Sequence, residues 1–264
     1  MKERMMVRNE ASVATRFLLS LMLATTMLSL TASDAFAVAG NASCRNQAPP
    51  GNFEGAQKAF SGVAGAQSNI SYANTPLCTD VGNANDDLKG SHSWVAIYSN
   101  SDTNDIVQIG LSNCKDPFNP TGCSQSMNWF WAWGRSNCPG LLDVIPAPKR
   151  IAAASTGTHT FQVLLTDTAW KVKIDGAQKG TVGSTSICWG RDHAGWLSET
   201  WDNGDQMGAN WPSAQDYAGA QYQQGIGGSW ANPNFTSCLR QSDVWDYLCQ
   251  LVNGSAVDVW TDRR

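Results

Sequence analysis

Two polar residues stand out for the company they keep. Gln108 lies in Asp105-Ile106-Val107-Gln108-Ile109-Gly110, and Glu199 lies in Ala194-Gly195-Trp196-Leu197-Ser198-Glu199-Thr200-Trp201. Each stretch reads as a β-strand with one chemically useful group among apolar neighbours. Side chains alternate faces along a strand, so Ile106 and Gln108 share one face and Val107 and Ile109 the other. The small Gly110 continues the Gln108 face and is expected to leave room beside it. Leu197, Glu199 and Trp201 share a face opposite Trp196, Ser198 and Thr200. A carboxylate between two large apolar groups loses hydration, which raises its pKa. That brings it into the range where it trades protons with water and with a leaving amine. A glutamine amide does not titrate, but it donates a hydrogen bond to an oxyanion as charge develops. Brought together on a sheet, the pair can activate water for attack on an amide.

Plainer roles stand beside this one. Gln108 fits as a polar residue in a half-buried strand, and Glu199 as a strand residue paired with Arg191 or Arg135. His92, His159 and His193 stand alone in sequence. His193 precedes Glu199 closely and reads either as a loop residue or as an aid to it. No G-x-S-x-G elbow is present, so a serine hydrolase lacks its usual support. Asp202-Asn203-Gly204-Asp205 reads as a turn, or as a partial calcium loop without the bidentate glutamate such loops need.

The elements that must position these groups are short and β-like. Ser93–Ile97 and Ile106–Leu111 form one pair, and Met127–Trp133 is an aromatic strand. His159–Leu165 and Trp170–Ile174 alternate with a two-residue period around the turn Thr166–Ala169. Asp175-Gly176 predicts a second turn into a short strand near Gly180–Val182. Gly195–Trp201 and Val257–Trp260 complete the set. Many short strands with turns between them imply an all-β sandwich or barrel. One helix is expected from Ser242 to Val252, stopped by Asn253-Gly254. The Gln/Gly-rich stretch from Trp211 to Asn234 reads as long loops.

The chain ends and composition bound the setting. Lys2, Arg4, Arg8 and Arg16 precede an apolar run from Phe17 to Leu30 and the small-residue site Ala35-Phe36-Ala37. This reads as a cleaved signal peptide over residues 1–37, too short in its apolar part to span a bilayer comfortably. Residues 38–89, rich in Ala, Gly, Asn, Ser and Pro, read as a loosely structured or propeptide-like lead-in stapled by Cys44 and Cys78. Residues 90–264 form the main domain. All eight cysteines lie beyond residue 37, and an even number in an exported chain suggests disulfides whose connectivity spacing does not fix. Structural zinc is the rival, without any C-x-x-C pair to support it. Disulfide formation removes a cysteine nucleophile. The formal net charge of −4 and the lack of a basic patch argue against nucleic acid or an anionic membrane as partner. The 12 tryptophans supply either core packing or surfaces that stack on ligands.

Ser93-Trp94-Val95-Ala96-Ile97, followed by Ile106-Val107-Gln108-Ile109-Gly110, resembles the glutamic peptidases of the eqolisin type. Those proteins carry a Trp-Val-Gly-Ile strand, then an Ile-Leu-Gln-Thr-Gly strand. A later strand similar to Gly195–Glu199 ends in their second catalytic residue. The resemblance runs from about Ser93 to Trp201 and keeps the order of elements. It implies a jelly-roll β-sandwich of two curved antiparallel sheets, similar to the concanavalin-like lectins. It also implies Gln108 and Glu199 as the catalytic pair, with no metal or cofactor. Trp94, Trp131 and Trp133 are implied as substrate-binding walls. The polypeptide substrate would be met by a secreted or periplasmic monomer. Ala132 stands where the family has an acidic residue in its cleft strand, and Gly134-Arg135 where it has Tyr-Pro. Two other functions fit the same sandwich. One is a carbohydrate-binding lectin-like module. The other is a glycoside hydrolase, which needs two carboxylates across a cleft.

Overall fold

The structure, a computed structural model, describes residues 47–78, 89–99, 104–116, 119, 121–123, 125–136, 138–202, 205–210, 213–241 and 247–262. The expected leader and Cys44 lie outside the described residues. In chain order the strands are β1 (Gln47–Ala59), β2 (Val63–Ser71), β3 (Lys89–Tyr98), β4 (Ile106–Lys115), β5 (Asn128–Trp133), β6 (Lys149–Ala153), β7 (Thr158–Leu165) and β8 (Ala169–Ile174). They continue with β9 (Ala177–Gly183), β10 (His193–Asp202), β11 (Ala209–Asn210), β12 (Gln215–Gln224), β13 (Trp230–Ala231), β14 (Leu239–Gln241), β15 (Tyr247–Asn253) and β16 (Ala256–Thr261).

Two sheets result. The first has the order β14-β1-β10-β3-β4-β5-β6, antiparallel throughout. The second runs β11-β16-β12-β2-β7-β8-β9, with β13 on β12 and β15 on β16. Among the described residues its one parallel pair is β11 with β16. The main core lies between them. Val95, Ile97, Val107, Ile109 and Trp196 from the first sheet meet Ala66, Ile70, Phe161, Val163, Val172 and Ile174 from the second. This is the expected jelly-roll sandwich: alternate residues of each strand point inward.

The first sheet also carries a second apolar cluster, on its other face. Trp94, Ala96, Ile106, Phe130, Ala132 and Leu197 form it, with Phe53, Tyr98 and Leu239 against them. Hence β3 is buried along nearly its whole length. Behind this face, hydroxyls stitch the sheets together. Ser93 Oγ and Ser198 Oγ lie 3.2 Å apart, Ser198 Oγ and Tyr217 Oη 3.0 Å, and Tyr217 Oη donates to the Leu197 carbonyl at 2.6 Å. These bonds satisfy groups that burial would otherwise penalise, and they fix β3 and β10 in register.

Three disulfides join Cys114 to Cys123, Cys138 to Cys188 and Cys238 to Cys249. Cys78 is also disulfide-bonded. The Cys138–Cys188 bridge spans a sequence separation of 50, for which loop-closure entropy gives on the order of 4 kcal/mol. The β7–β8 hairpin and the turn at Asp175-Gly176 form as expected. Asp175 and Gly176 take φ of 49° and 78°, the left-handed pair that a tight Asp-Gly hairpin requires.

Three expectations are corrected. Residues 47–71 are not a loose lead-in, because β1 pairs with β10 and β2 lies in the middle of the second sheet. A propeptide role would strip a strand from each sheet. The stretch from Trp211 to Asn234 contains β12, an interior strand whose Gln215, Tyr217 and Ala220 are buried. A bulge at Gly219, where φ is 61°, shifts its register. The expected helix is strand β15 from Tyr247 onward, and Asn253-Gly254 turns the chain back into β16.

Candidate active site

Cross-strand pairing decides which side chains share a face. On β10, Glu199 stands opposite His92 of β3, and Leu197 opposite Trp94. On β4, Gly110 stands opposite Trp94 and Gln108 opposite Ala96. On β5, Ala132 stands opposite Gln108 and Phe130 opposite Gly110. Gln108 and Glu199 therefore occupy the same face of the same sheet, the one that carries the second apolar cluster. They lie two strand spacings apart, about 10 Å, and are offset by four residues, about 13 Å, on an idealised flat sheet. Trp94 is the residue midway between them.

The Glu199 carboxylate is held at both oxygens. Trp94 Nε1 donates to Oε2 at 3.0 Å, and Trp201 Nε1 donates to Oε1 at 3.0 Å. Burial raises its pKa to about 7, against the pull of the two indole donors, which favour the charged form. No arginine among the described residues shares this carboxylate. Arg135 instead donates to the carbonyls of Leu142 at 2.8 Å and Ser186 at 2.9 Å.

Gln108 is 8 % exposed. Its Oε1 is buried without a hydrogen-bond partner among the described residues, a costly state that functional sites tolerate. Gly110 does not leave open room beside it. A Cβ there would sit 1.9 Å from the Ser93 carbonyl oxygen and 2.7 Å from Trp94 Cα. Only glycine allows β3 to lie this close, and that approach helps seat Trp94.

Trp94 lies on the candidate catalytic face. Trp131 and Trp133 do not, and their expected role as substrate-binding walls is corrected. They pair with Ile109 and Val107 and so face the interior between the sheets, where they pack against the main core. Trp131 lies against Gly180 of β9. Lys149 Nζ stands 4.7 Å from its ring centroid, and the Arg135 guanidinium 5.6 Å from that of Trp133. Phe130 and Ala132 line the site in their place.

His92 was missed. It lies two residues before Trp94 on the same face, so strand alternation alone would have found it. The ring is 2 % exposed, and neither nitrogen has a partner among the described residues. It packs against Trp201 with centroids 4.4 Å apart and Phe130 at 5.4 Å. Burial lowers its pKa to about 3, so it stands neutral beside Glu199. His193 is placed elsewhere, stacked on Tyr98 at 5.2 Å and bonded to Asp192 Oδ1 at 2.7 Å.

Asp205 is a structural tie. Its Oδ1 accepts the Cys78 backbone N–H at 2.9 Å and its Oδ2 the Gly90 N–H at 2.7 Å. Burial raises its pKa to about 7 despite those donors.

No protein-family model and no curated protein matches the sequence. The fold does have counterparts among solved structures. SCP-B, a member of the eqolisin family of peptidases in complex with the tripeptide Ala-Ile-His, superposes with a TM-score of 0.51 at 13 % identity, covering 80 % of this chain and 98 % of that one. Scytalido-glutamic peptidase with a peptide-based transition-state analogue superposes with a TM-score of 0.52 at 14 % identity, with the same coverage. The chain has the fold of the eqolisin-type glutamic peptidases.

Proposed function

We propose that this chain is an exported, metal-independent endopeptidase in which Glu199 and Gln108 hydrolyse peptide bonds. The observation that carries this reading is the Glu199 carboxylate, fixed by two indole N–H groups and raised toward neutral pKa, on one face with a buried and unpartnered Gln108 amide oxygen. Ionised Glu199 takes a proton from a water, which attacks the scissile carbonyl. The Gln108 N–H donates to the oxyanion, and Glu199 returns the proton to the leaving nitrogen. The reaction requires the two head groups to close over Trp94 onto a reacting peptide. Aspects of export rest on the leader and on disulfides, which persist in oxidising compartments.

The competing readings lose their anchors. A lectin-like binder would need a stacking platform, but Trp131 and Trp133 face inward. A glycosidase would need a second carboxylate, and Glu199 is the sole one among the described residues paired across this face.

The test is cleavage of denatured protein by the purified mature chain, with chelator present. Glu199→Gln and Gln108→Ala should each lower kcat/KM at least a hundredfold while remaining folded. Undiminished cleavage in both variants rejects the assignment.

A further inference from the structure

The crossing from the first sheet to the second brings Ser155 and His159, neighbours in sequence, up to Asp175 of a later turn. Ser155 sits in the β6–β7 connection, His159 near the start of β7, and Asp175 in the β8–β9 turn. Ser155 Oγ lies 2.8 Å from His159 Nε2. His159 Nδ1 lies 2.7 Å from Asp175 Oδ2. Asp175 is anchored twice: its Oδ1 accepts the Thr160 backbone N–H at 2.9 Å, and its own N–H donates to the Thr160 carbonyl at 2.9 Å. The imidazole rests edge-on against Trp129, with centroids 5.1 Å apart.

The order of contacts fixes the chemistry. Slight burial works upward on the Asp175 pKa, but it is outweighed by the hydrogen bonds from His159 and the Thr160 N–H and by the charge of Lys179, so the carboxyl lies below its usual value. An ionised Asp175 can only accept, so Nδ1 carries a proton, and in the neutral ring Nε2 then presents its lone pair to the Ser155 hydroxyl. That is the tautomer and orientation of a general base set against a serine nucleophile. Trp129 limits the ring's rotation, and Lys179, 5.9 Å from the Trp129 ring, adds positive charge nearby.

We propose that Ser155, His159 and Asp175 form a second, serine-based acyl-transfer site for small, unhindered esters, separate from Glu199 and Gln108. Ser155 Oγ bonds to the ester carbonyl carbon while His159 Nε2 takes the hydroxyl proton. The carbon–alkoxy bond breaks, and the alcohol leaves with that proton. Water then attacks the acyl carbon as His159 Nε2 takes one of its protons. The acyl–Oγ bond breaks, His159 passes that proton to Ser155 Oγ, and the carboxylic acid departs. Ser155 and Asp175 are exposed, so the site suits a small acyl group rather than a buried chain.

A fluorophosphonate probe and p-nitrophenyl acetate test this on the purified mature chain and on Glu199→Gln, which silences the other site. Mass spectrometry should find the probe on Ser155 in both proteins. His159→Gln and Asp175→Asn, checked for folding by thermal midpoint, should slow labelling at least tenfold. Ser155→Ala should lower ester hydrolysis at least tenfold. No label at Ser155, labelling unaffected in His159→Gln, or ester hydrolysis undiminished in Ser155→Ala overturns the proposal. Because the readout is kept in Glu199→Gln, it stands or falls independently of the peptidase reading.

Discussion

Trp94 donates its indole N–H to Glu199 Oε2 at 3.0 Å from the strand that separates Glu199 from Gln108. This bond favours the ionised carboxylate and opposes the rise caused by burial. Trp94→Phe keeps the apolar ring and removes the donor, so the Glu199 pKa should move further up. If the ionised form is the general base, the acid limb of the kcat/KM profile should shift to higher pH by about one unit. A carboxyl NMR titration of Glu199 checks the shift without relying on activity. An unchanged or lower pKa would show that the indole does not hold the charge.

His92 poses a different problem, because its two ring nitrogens are buried without partners among the described residues. Replacing an unsatisfied polar group by an apolar one of similar shape is close to neutral or stabilising. His92→Phe keeps the contacts with Trp201 and Phe130. Its thermal midpoint at pH 6 should equal or exceed that of the parent, with a larger gain at pH 4.5. The gain grows in acid because the parent's buried neutral ring loses stability as the unfolded histidine charges. A midpoint several degrees lower would reveal that the ring nitrogens are bonded, for instance to an ordered water.

How far the site was legible follows from what alternation can and cannot carry. The faces of Gln108, Glu199 and Trp94 follow from the period of two within each strand, and the structure keeps them. The face of Trp131 and Trp133 depends on which β5 residue stands opposite Gln108, and no local pattern states that. Ala132 takes that place, and one step of register moves a whole strand's side chains to the other face. β1, β2 and β12 were hidden by composition, since Gly, Ala and Gln are weak strand formers. They are strands because tight packing selects small residues. A Cβ on Gly65, for example, would meet the Trp230 ring at 2.7 Å. The contacts among Ser155, His159 and Asp175 arise from two turns and a sheet crossing, a three-dimensional result with no sequence motif.

The stability of the fold should fall as pH rises through neutrality. Glu54, on β1, has a side chain 1 % exposed and meets Arg240 Nε at 3.3 Å. Burial raises its pKa from 4.5 to about 8, against the lowering effect of Arg240. Asp205 and Glu199 are likewise raised, each to about 7. A carboxyl whose folded pKa exceeds its unfolded value contributes stability below the unfolded pKa and loses it as pH climbs to the folded one. His92 acts in the opposite sense, but only between about 3 and 6.5. The window from pH 6.5 to 8 therefore belongs to the carboxyls, and the thermal midpoint should be higher at pH 6.5 than at pH 8. Glu54→Gln cannot ionise and should flatten that decline, which differential scanning calorimetry of both proteins at the two pH values would measure. A midpoint that rises toward pH 8, or a decline equally steep in Glu54→Gln, would mean that Glu54 is already ionised in the folded chain through its contact with Arg240.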